Sequence, residues 1–284
     1  MKMQKALHLH IELAKSSPKC IGKTYAIFEK YDGWYGYIDL TCHENYIKSS
    51  AGRDIPSLSD LSKIITNRIG HISGRLIFEI MIPGLAFSIL NGVLNRRYEQ
   101  AEDAIVICHD WIPTNDLNMP FHQRYKILKN IVRVADDNKI DIAPIIYQSN
   151  DICDWRETAE QVWAVGGEGV VLKRMDAMYS PGKRNCDLMK IKEELTVDLL
   201  VIGAVEGEGK YTGNLGALVL RDSKGGTHQV SGMTDAQRYR WWNNAKEIVG
   251  KVVEVKAMKW LPDGQLREPR FSHIRHDKTS SDID

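Results

Sequence analysis

The chain has 284 residues, 43% of them hydrophobic and 26% charged, which excludes a disordered or fibrous class and leaves room for two domains. Formal net charge is only +1, so any nucleic-acid surface has to be a local patch and not a field of the whole molecule. The five cysteines, Cys20, Cys42, Cys108, Cys153 and Cys186, contain no C-x-x-C pair, which argues against a zinc site and a disulfide framework and suits a reducing compartment.

In chain order, MKMQKALHLH lacks the apolar core of a signal peptide, and no run of about 18 apolar residues follows to span a membrane. The expected location is the cytoplasm. Tyr25, Ile27 and Glu29 alternate with Ala26, Phe28 and Lys30, and WYGYIDL follows Asp32-Gly33; two strand-like runs flanking Asp-Gly predict a hairpin. LSDLSKIITNRIG reads as a short helix stopped by Gly70. RLIFEIMI and AIVICH read as strands. FHQRYKILKNIVRVADD places Tyr125, Leu128, Ile131, Val132 and Ala135 at helical spacing. IDIAPIIY reads as one strand, DWRETAEQVWAVGG as a helix capped by Asp154, and EGVVLKR and DLMKIK as strands.

The texture changes after Lys192. VDLLVIGAV, LGALVLRD, THQVSG, KVVEVKAM and LREPRFSHI are short strands at close spacing, interrupted by one helix over about 235–249. That pattern predicts a small closed β-barrel of OB type. The first half mixes strands and helices without regular βαβ alternation, so a purely parallel sheet is not expected. The fold class is therefore α+β, with domains over 1–193 and 194–284.

Several stretches carry chemistry. Lys30 stands beside the Asp-Gly turn. A lysine with a pKa near 10.4 is neutral in only about 1 molecule in 2,500 at pH 7, so a nucleophilic lysine needs nearby cations or desolvation. Lys190 and Lys192 are two apart, hence on one face of a strand, and Glu168 and Lys173 bracket the EGVVLK run. Each motif alone is ordinary: K-x-K is usually a solvated strand face, and Glu168-Gly169 a helix-to-strand turn.

Their order is less ordinary. KYDG at Lys30, the acidic strand residue Glu79, EGVVLK at Glu168 and KIK at Lys190 resemble the motifs of the covalent nucleotidyltransferases, and DGQLREPRFSHIRHDK resembles the final motif of compact bacterial or bacteriophage-type ATP-dependent DNA ligases. The resemblance runs from about Tyr25 to Lys278. It implies an adenylation (nucleotidyltransferase) domain followed by an OB domain. It implies nick sealing in three steps: a lysine–AMP intermediate at Lys30, transfer of AMP to the 5′-phosphate of the nick, and attack by the 3′-hydroxyl.

By the same resemblance, Lys190 and Lys192 would neutralise the α-phosphate and lower the pKa of Lys30. Glu168, with Asp32, would hold Mg²⁺ (or Mn²⁺), and Glu79 would lie near the ribose or the metal. The backbone of Phe28 and Glu29 would meet adenine, and Lys173 would belong to the ATP pocket. Arg275, Asp277 and Lys278 would orient the pyrophosphate of ATP. Lys251, Lys256, Lys259, Arg267 and Arg270 would contact duplex phosphates. Trp241, Trp242 and Trp260 are read as packing.

The sequence also departs from the pattern. Tyr35 replaces the first-motif arginine, and Ser50 stands where a second arginine is expected, with Arg53 three residues on. A tyrosine carries no charge and is no equivalent. Arg53, Arg96 or Arg97 are the expected substitutes. Of D-G-E only the glutamate remains, at Glu79; His109 takes the adenine-stacking aromatic position; Leu188 replaces a tryptophan.

The expected partner is nicked double-stranded DNA, bound by a monomer that serves replication, repair or recombination. No DNA-binding domain fits ahead of Lys30. The alternatives are an RNA ligase, a capping-type nucleotidyltransferase, or a catalytically impaired nucleic-acid-binding relative.

Overall fold

Two stretches of chain, Met1–Lys192 and Glu193–Asp284, close around cores of their own. The computed structural model describes residues 1–9, 20–40, 45–261 and 263–284, with Ser88 described by its backbone alone. Cys42 lies outside the described residues.

The first unit runs β1 (Lys5–His8), β2 (Tyr25–Glu29), β3 (Trp34–Leu40), β4 (Lys48–Ser49), α1 (Ser59–Ile69), β5 (Gly74–Met81), α2 (Phe87–Leu94), β6 (Ile105–Pro113), α3 (Phe121–Ala135), β7 (Ile140–Ile142), β8 (Tyr147–Ser149), α4 (Ile152–Ala164), β9 (Gly169–Arg174) and β10 (Arg184–Lys192). These strands form two five-stranded sheets, ordered β1-β10-β9-β2-β8 and β4-β3-β5-β6-β7. Pairing is antiparallel except at β1–β10 and β6–β7, so the unit is mixed, as the irregular strand–helix order predicts. Ala26 and Phe28 of β2 share the main core with Ile38, Phe78, Val106, Tyr125 and Leu128, contributed by the other sheet and by α3. Tyr25 and Ile27, on the opposite face of β2, pack with Trp155 and Ala159 of α4. The period-2 alternation of β2 thus supplies both layers.

Three sequence expectations are corrected here. Asp32-Gly33 is not a hairpin turn. β2 pairs with β9 and β8, whereas β3 pairs with β5 and β4, so the chain crosses from one sheet to the other. Both edges of β2 are taken by strands far along the chain, β8 and β9, and β3 is held between β4 and β5. Gly33 is required for close approach: a Cβ there would lie 2.5 Å from the carbonyl oxygen of Ile80.

IDIAPIIY is likewise two strands, β7 in one sheet and β8 in the other, separated where Pro144 breaks the run. The cap of α4 is Asp151, which accepts from the backbone N–H of Cys153 at 2.8 Å, and not Asp154, which sits in the first turn.

A fourth correction concerns the cysteines. Cys20 and Cys186 are joined in a disulfide across 166 residues. Spacing gave no sign of the pair, because it forms only once the sheet sets the lead-in to β2 near β10. Cys108 is buried and free, and Cys153 is exposed and free.

The second unit comprises β11 (Leu195–Glu206), β12 (Leu215–Arg221), β13 (Thr227–Val230), α5 (Asp235–Asn243), β14 (Val252–Ala257) and β15 (Arg270–Ile274). The sheet order β13-β12-β11-β14-β15 is antiparallel throughout. Its edges meet where the Phe271 N–H donates to the Ser231 carbonyl at 2.8 Å, closing the expected OB-type barrel. The helix is shorter than the expected 235–249. A Thr234–Gln237 capping box starts it, and after Asn243 the chain continues as a 3₁₀ turn over Ala245–Glu247. Trp241 packs on Phe271 in the barrel core, in keeping with its reading as packing.

Candidate active site

Three strand segments converge on Glu168. The backbone N–H of Lys30 donates to the Gly169 carbonyl at 2.8 Å, tying the end of β2 to the start of β9. Lys192 pairs in register with Gly169 from β10. Gly169 has φ +140°, and a Cβ there would stand 2.2 Å from the Ile191 carbonyl oxygen, so only glycine fits. The Glu168 side chain, 6% exposed, consequently meets two ammonium groups. Its Oε2 lies 2.6 Å from Lys30 Nζ and its Oε1 lies 2.6 Å from Lys192 Nζ. Lys30 Nζ also donates to the Tyr31 carbonyl at 3.3 Å.

Lys30 thus meets a carboxylate as its first neighbour, with a cation on that carboxylate's far oxygen. Lys192, one of the expected nearby cations, stands on the far side of the Glu168 carboxylate. The arrangement can keep an amine oriented and can take a proton from it.

A cavity of about 520 Å³ opens beside this cluster, lined by Phe28, Glu29, Lys30, Tyr35, Ser50, Glu79, His109, Lys173 and Lys190, among others. That size suits a nucleotide-sized ligand. Phe28 and Glu29 spend backbone groups on the ladder to β9, and the Phe28 ring packs edge-on against Phe121 and Tyr125. Tyr35 pairs in register with Glu79 and Gly36 with Phe78, so Tyr35 and Glu79 are cross-strand neighbours.

His109 lies 3.7 Å from Glu79 through Nε2, with the Tyr31 and Tyr35 rings at 6.1 and 6.4 Å between centroids. Burial lowers the His109 pKa, against the raising effect of Glu79, so the ring is a neutral face at pH 7. Burial also raises the Tyr35 phenol well above its ordinary value, so it serves as a neutral donor.

Lys173 sits under the pocket floor. Its ammonium donates to the His109 carbonyl at 2.8 Å, lies 3.5 Å from Asp110 and faces the Phe28 and Phe121 rings. Burial pushes its pKa down to about 8. Burial alone would raise the Asp110 carboxyl, but Arg124 and Lys173 together hold it below its usual range. Arg124, which grips Asp110 from Nε at 2.9 Å and from Nη2 at 3.1 Å, was missed by sequence reasoning. Its position among the apolar spacing of α3 was the available signal.

The other expected residues fall elsewhere. Asp32 is half-buried in the β2–β3 crossover and does not line the cavity. Ser50 is held beside Tyr35 by its N–H to the Tyr35 carbonyl at 3.1 Å, whereas Arg53 is exposed and outside the cavity lining. Arg96 pairs with Glu99 beyond α2, and neither it nor Arg97 lines the cavity. Two lining cations were not foreseen, Lys5 and Arg184.

In the second unit, Arg275 grips Asp277 through Nε at 2.9 Å and Nη2 at 2.7 Å. Asp198, also missed from sequence, accepts from Arg275 at 2.8 Å and from Lys278 at 2.6 Å through one oxygen. The hydrogen bonds with Arg275 hold the Asp277 carboxyl far below its usual range, so the cluster carries both signs of charge. Lys256 and Arg270 pair in register across β14 and β15, with Glu194 at 3.0 Å from Lys256 and Glu268 at 3.2 Å from Arg270. Lys251 and Lys259 are exposed, and the Arg267 N–H donates to the Lys259 carbonyl at 2.9 Å.

No group of three or more His, Cys, Asp or Glu converges among the described residues. Among the described residues, therefore, no cation site is built from protein ligands alone. Glu168 and Glu79 do offer hard carboxylate oxygens beside a cavity of nucleotide size. That donor set fits Mg²⁺, which binds through one or two carboxylates and shares substrate phosphates.

Residues 11–192 match the model of the ATP dependent DNA ligase domain, and residues 206–275 match that of the DNA ligase OB-like domain. A DNA ligase of Methanocorpusculum labreanum is 26% identical over 279 residues, covering 80% of this chain and 47% of the relative. A probable DNA ligase of Streptomyces avermitilis is 31% identical over 193 residues, covering 59% of this chain and 37% of the relative. The chain thus spans about half, or less, of the length of these curated relatives.

Among solved structures, a Lig E DNA ligase studied for DNA binding with a minimal scaffold superposes with a TM-score of 0.77 at 20% identity, over 97% of this chain and 99% of that one. The bacteriophage T7 ATP-dependent DNA ligase, solved with ATP, superposes with a TM-score of 0.57 at 19% identity, over 96% and 98%. These likenesses establish the two-part fold.

Proposed function

The chain belongs to the ATP-dependent DNA ligase family, and from that premise we propose that it seals nicks in duplex DNA using ATP. The observation that carries the reading is the Lys30–Glu168–Lys192 cluster, with 2.6 Å on each side of one buried carboxylate, at the wall of a nucleotide-sized cavity.

In the first step Lys30 Nζ attacks the α-phosphorus of ATP. The N–P bond forms as the bond to the bridging oxygen breaks, and pyrophosphate carries away that electron pair. The proton leaving Nζ has Glu168 Oε2 2.6 Å away as its acceptor. Lys190, from the cavity wall, and Lys192 meet charge developing on the α-phosphate. Glu168 and Glu79 would hold a Mg²⁺ (or Mn²⁺), which would supply Lewis-acid polarisation of the phosphoryl oxygens.

His109 and Tyr31 offer ring faces for adenine, and Glu79 is placed to accept from a ribose hydroxyl. In the second step an oxygen of the nick 5′-phosphate attacks the AMP phosphorus and frees Lys30. In the third the 3′-hydroxyl attacks the 5′-phosphorus and AMP leaves. Arg275 and Lys278, gathered by Asp198, and Asp277, gripped by Arg275, are assigned to orient the leaving pyrophosphate, and Lys251, Lys256, Lys259, Arg267 and Arg270 to grip duplex phosphates, with a monomer acting alone.

No helix among the described residues is long and apolar enough to cross a membrane. The sequence suggested the cytoplasm as the site of action. The Cys20–Cys186 bond is of the kind that persists in oxidising surroundings, and it favours such a compartment.

The test is a nicked duplex labelled at the 5′-phosphate. The protein with ATP and Mg²⁺ should give adenylated DNA and then sealed strand. Lys30→Ala should fail on the plain nick yet still seal a pre-adenylated one, because the third step does not use the lysine. A wild-type protein inert on both substrates would overturn the proposal. Faster sealing of nicks with RNA at the 3′ side would favour the RNA-ligase alternative.

A further inference from the structure

The two arginines missing from this chain leave a gap on one wall of the cavity. Tyr35 and Ser50 occupy those positions, side by side, and neither carries a charge. The same cavity is also lined by a pair of cations that no motif of the sequence singled out. Lys5 on β1 stands level with Arg184 on β10 in the parallel ladder, and the Lys5 N–H donates to the Lys183 carbonyl at 2.9 Å. Both residues line the cavity and both are exposed.

The remaining lining cations are committed or central. Lys173 is tied to Asp110 and the His109 carbonyl, and Lys30 is tied to Glu168. Neither Lys5 nor Arg184 forms an ion pair with a described residue.

The ladder also fixes how far this pair lies from the reacting lysines. Ala6 pairs with Asn185 but Leu7 pairs with Met189, so β10 bulges by three residues between them. Arg184 is therefore only three β1 residues from the rung where His8 meets Lys190. At about 3.3 Å per residue, the two rungs are roughly 10 Å apart. A phosphate held by Lys5 and Arg184 would stand beside an α-phosphorus held by Lys190, and not on top of it.

We propose that Lys5, held beside Arg184, binds the terminal 5′-phosphate of the nicked strand, supplying the charge absent at Tyr35 and Ser50. This inference rests on the ligase reading. A lysine acts on a phosphate as a mobile point charge and fits a dianion that has to move toward the adenylate. The competing source of the same chemistry is the β,γ-phosphate pair of ATP.

Binding separates the cases without requiring turnover. Affinity is measured by fluorescence anisotropy for matched nicked duplexes ending in 5′-phosphate or 5′-hydroxyl. The proteins are wild type, Lys5→Ala, Lys5→Arg and Arg53→Ala. The wild-type preference for the 5′-phosphate should shrink about tenfold in Lys5→Ala and survive in Lys5→Arg and Arg53→Ala. The slope of log affinity against log salt should fall by about one.

An undiminished preference in Lys5→Ala would overturn the proposal. So would an intact preference with a raised KM for ATP in self-adenylation, which would assign Lys5 to the triphosphate. A wild-type protein that prefers 5′-phosphate but never adenylates would refute the ligase chemistry and leave the Lys5 assignment standing.

Discussion

Replacing Glu168 by glutamine keeps the size of the side chain and removes the charge between Lys30 and Lys192. Each ammonium lies 2.6 Å from a carboxylate oxygen, with side-chain exposures of 19% for Lys30, 14% for Lys192 and 6% for Glu168. At an effective dielectric of about 20, each contact is worth roughly 6 kcal/mol of gross attraction. Most of that is offset by the desolvation of three charged groups. Removing the carboxylate takes the shared counter-charge from both ammonium groups, which costs about 3–5 kcal/mol of stability.

The chemical effect is separate. Loss of a positioned proton acceptor should slow self-adenylation by about 10²–10⁴-fold. Single-turnover labelling with α-labelled ATP measures this, alongside urea unfolding of the same variant. Raising the pH should recover part of the rate in Glu168→Gln, since hydroxide then removes the proton. Labelling at the wild-type rate would refute the assignment of Glu168, as would a loss of rate that ignores pH.

Three other outcomes are expected. The Lys173 ammonium titrates near 8 in the fold against an ordinary 10.5, so between those values the unfolded chain binds more protons and stability rises with pH. Relative to Lys173→Met, the wild type should gain about 2–3 kcal/mol from pH 7 to pH 10 in guanidinium unfolding; a constant difference would contradict the burial argument. Gly169→Ala would drive a methyl to 2.2 Å from the Ile191 carbonyl oxygen. It should cost about 2 kcal/mol or more and misplace Glu168, read as a lowered Tm together with lost self-adenylation; an unchanged Tm would contradict it. Alkylation of the isolated protein should find Cys108 and Cys153 reactive after denaturation, with Cys20 and Cys186 protected until a reductant is added. Free thiols at Cys20 and Cys186 before reduction would return the protein to a reducing compartment.

The parts of this molecule legible in the sequence were those set by local pattern. The period-2 strand at Tyr25, the helical spacing from Phe121 to Ala135 and the short strands after Lys192 all follow from side chains that choose a face within a few residues. Lys30, Glu168, Lys190 and Lys192 were legible through their order along the chain. What escaped was set by long-range pairing. Asp32-Gly33 reads as a hairpin, yet β2 pairs with β8 and β9, far along the chain, while β3 pairs with β4 and β5 in the other sheet, and local turn chemistry cannot report that.

Lys5 and Arg184 were invisible because their meaning depends on the β1–β10 register, and the disulfide because Cys20 and Cys186 meet only through that sheet. Asp198 and Arg124 look like polar interruptions of apolar runs. Each proves to be a buried charge whose partners come from distant segments.

The most direct test of the central claim is the intact mass of the protein after incubation with ATP and Mg²⁺, followed by peptide mapping. One adenylyl group on the peptide containing Lys30, absent in Lys30→Ala and discharged by nicked DNA carrying a 5′-phosphate, is the predicted result. A wild-type protein that gains no adenylyl group, or gains it on a peptide other than that of Lys30, would contradict the account.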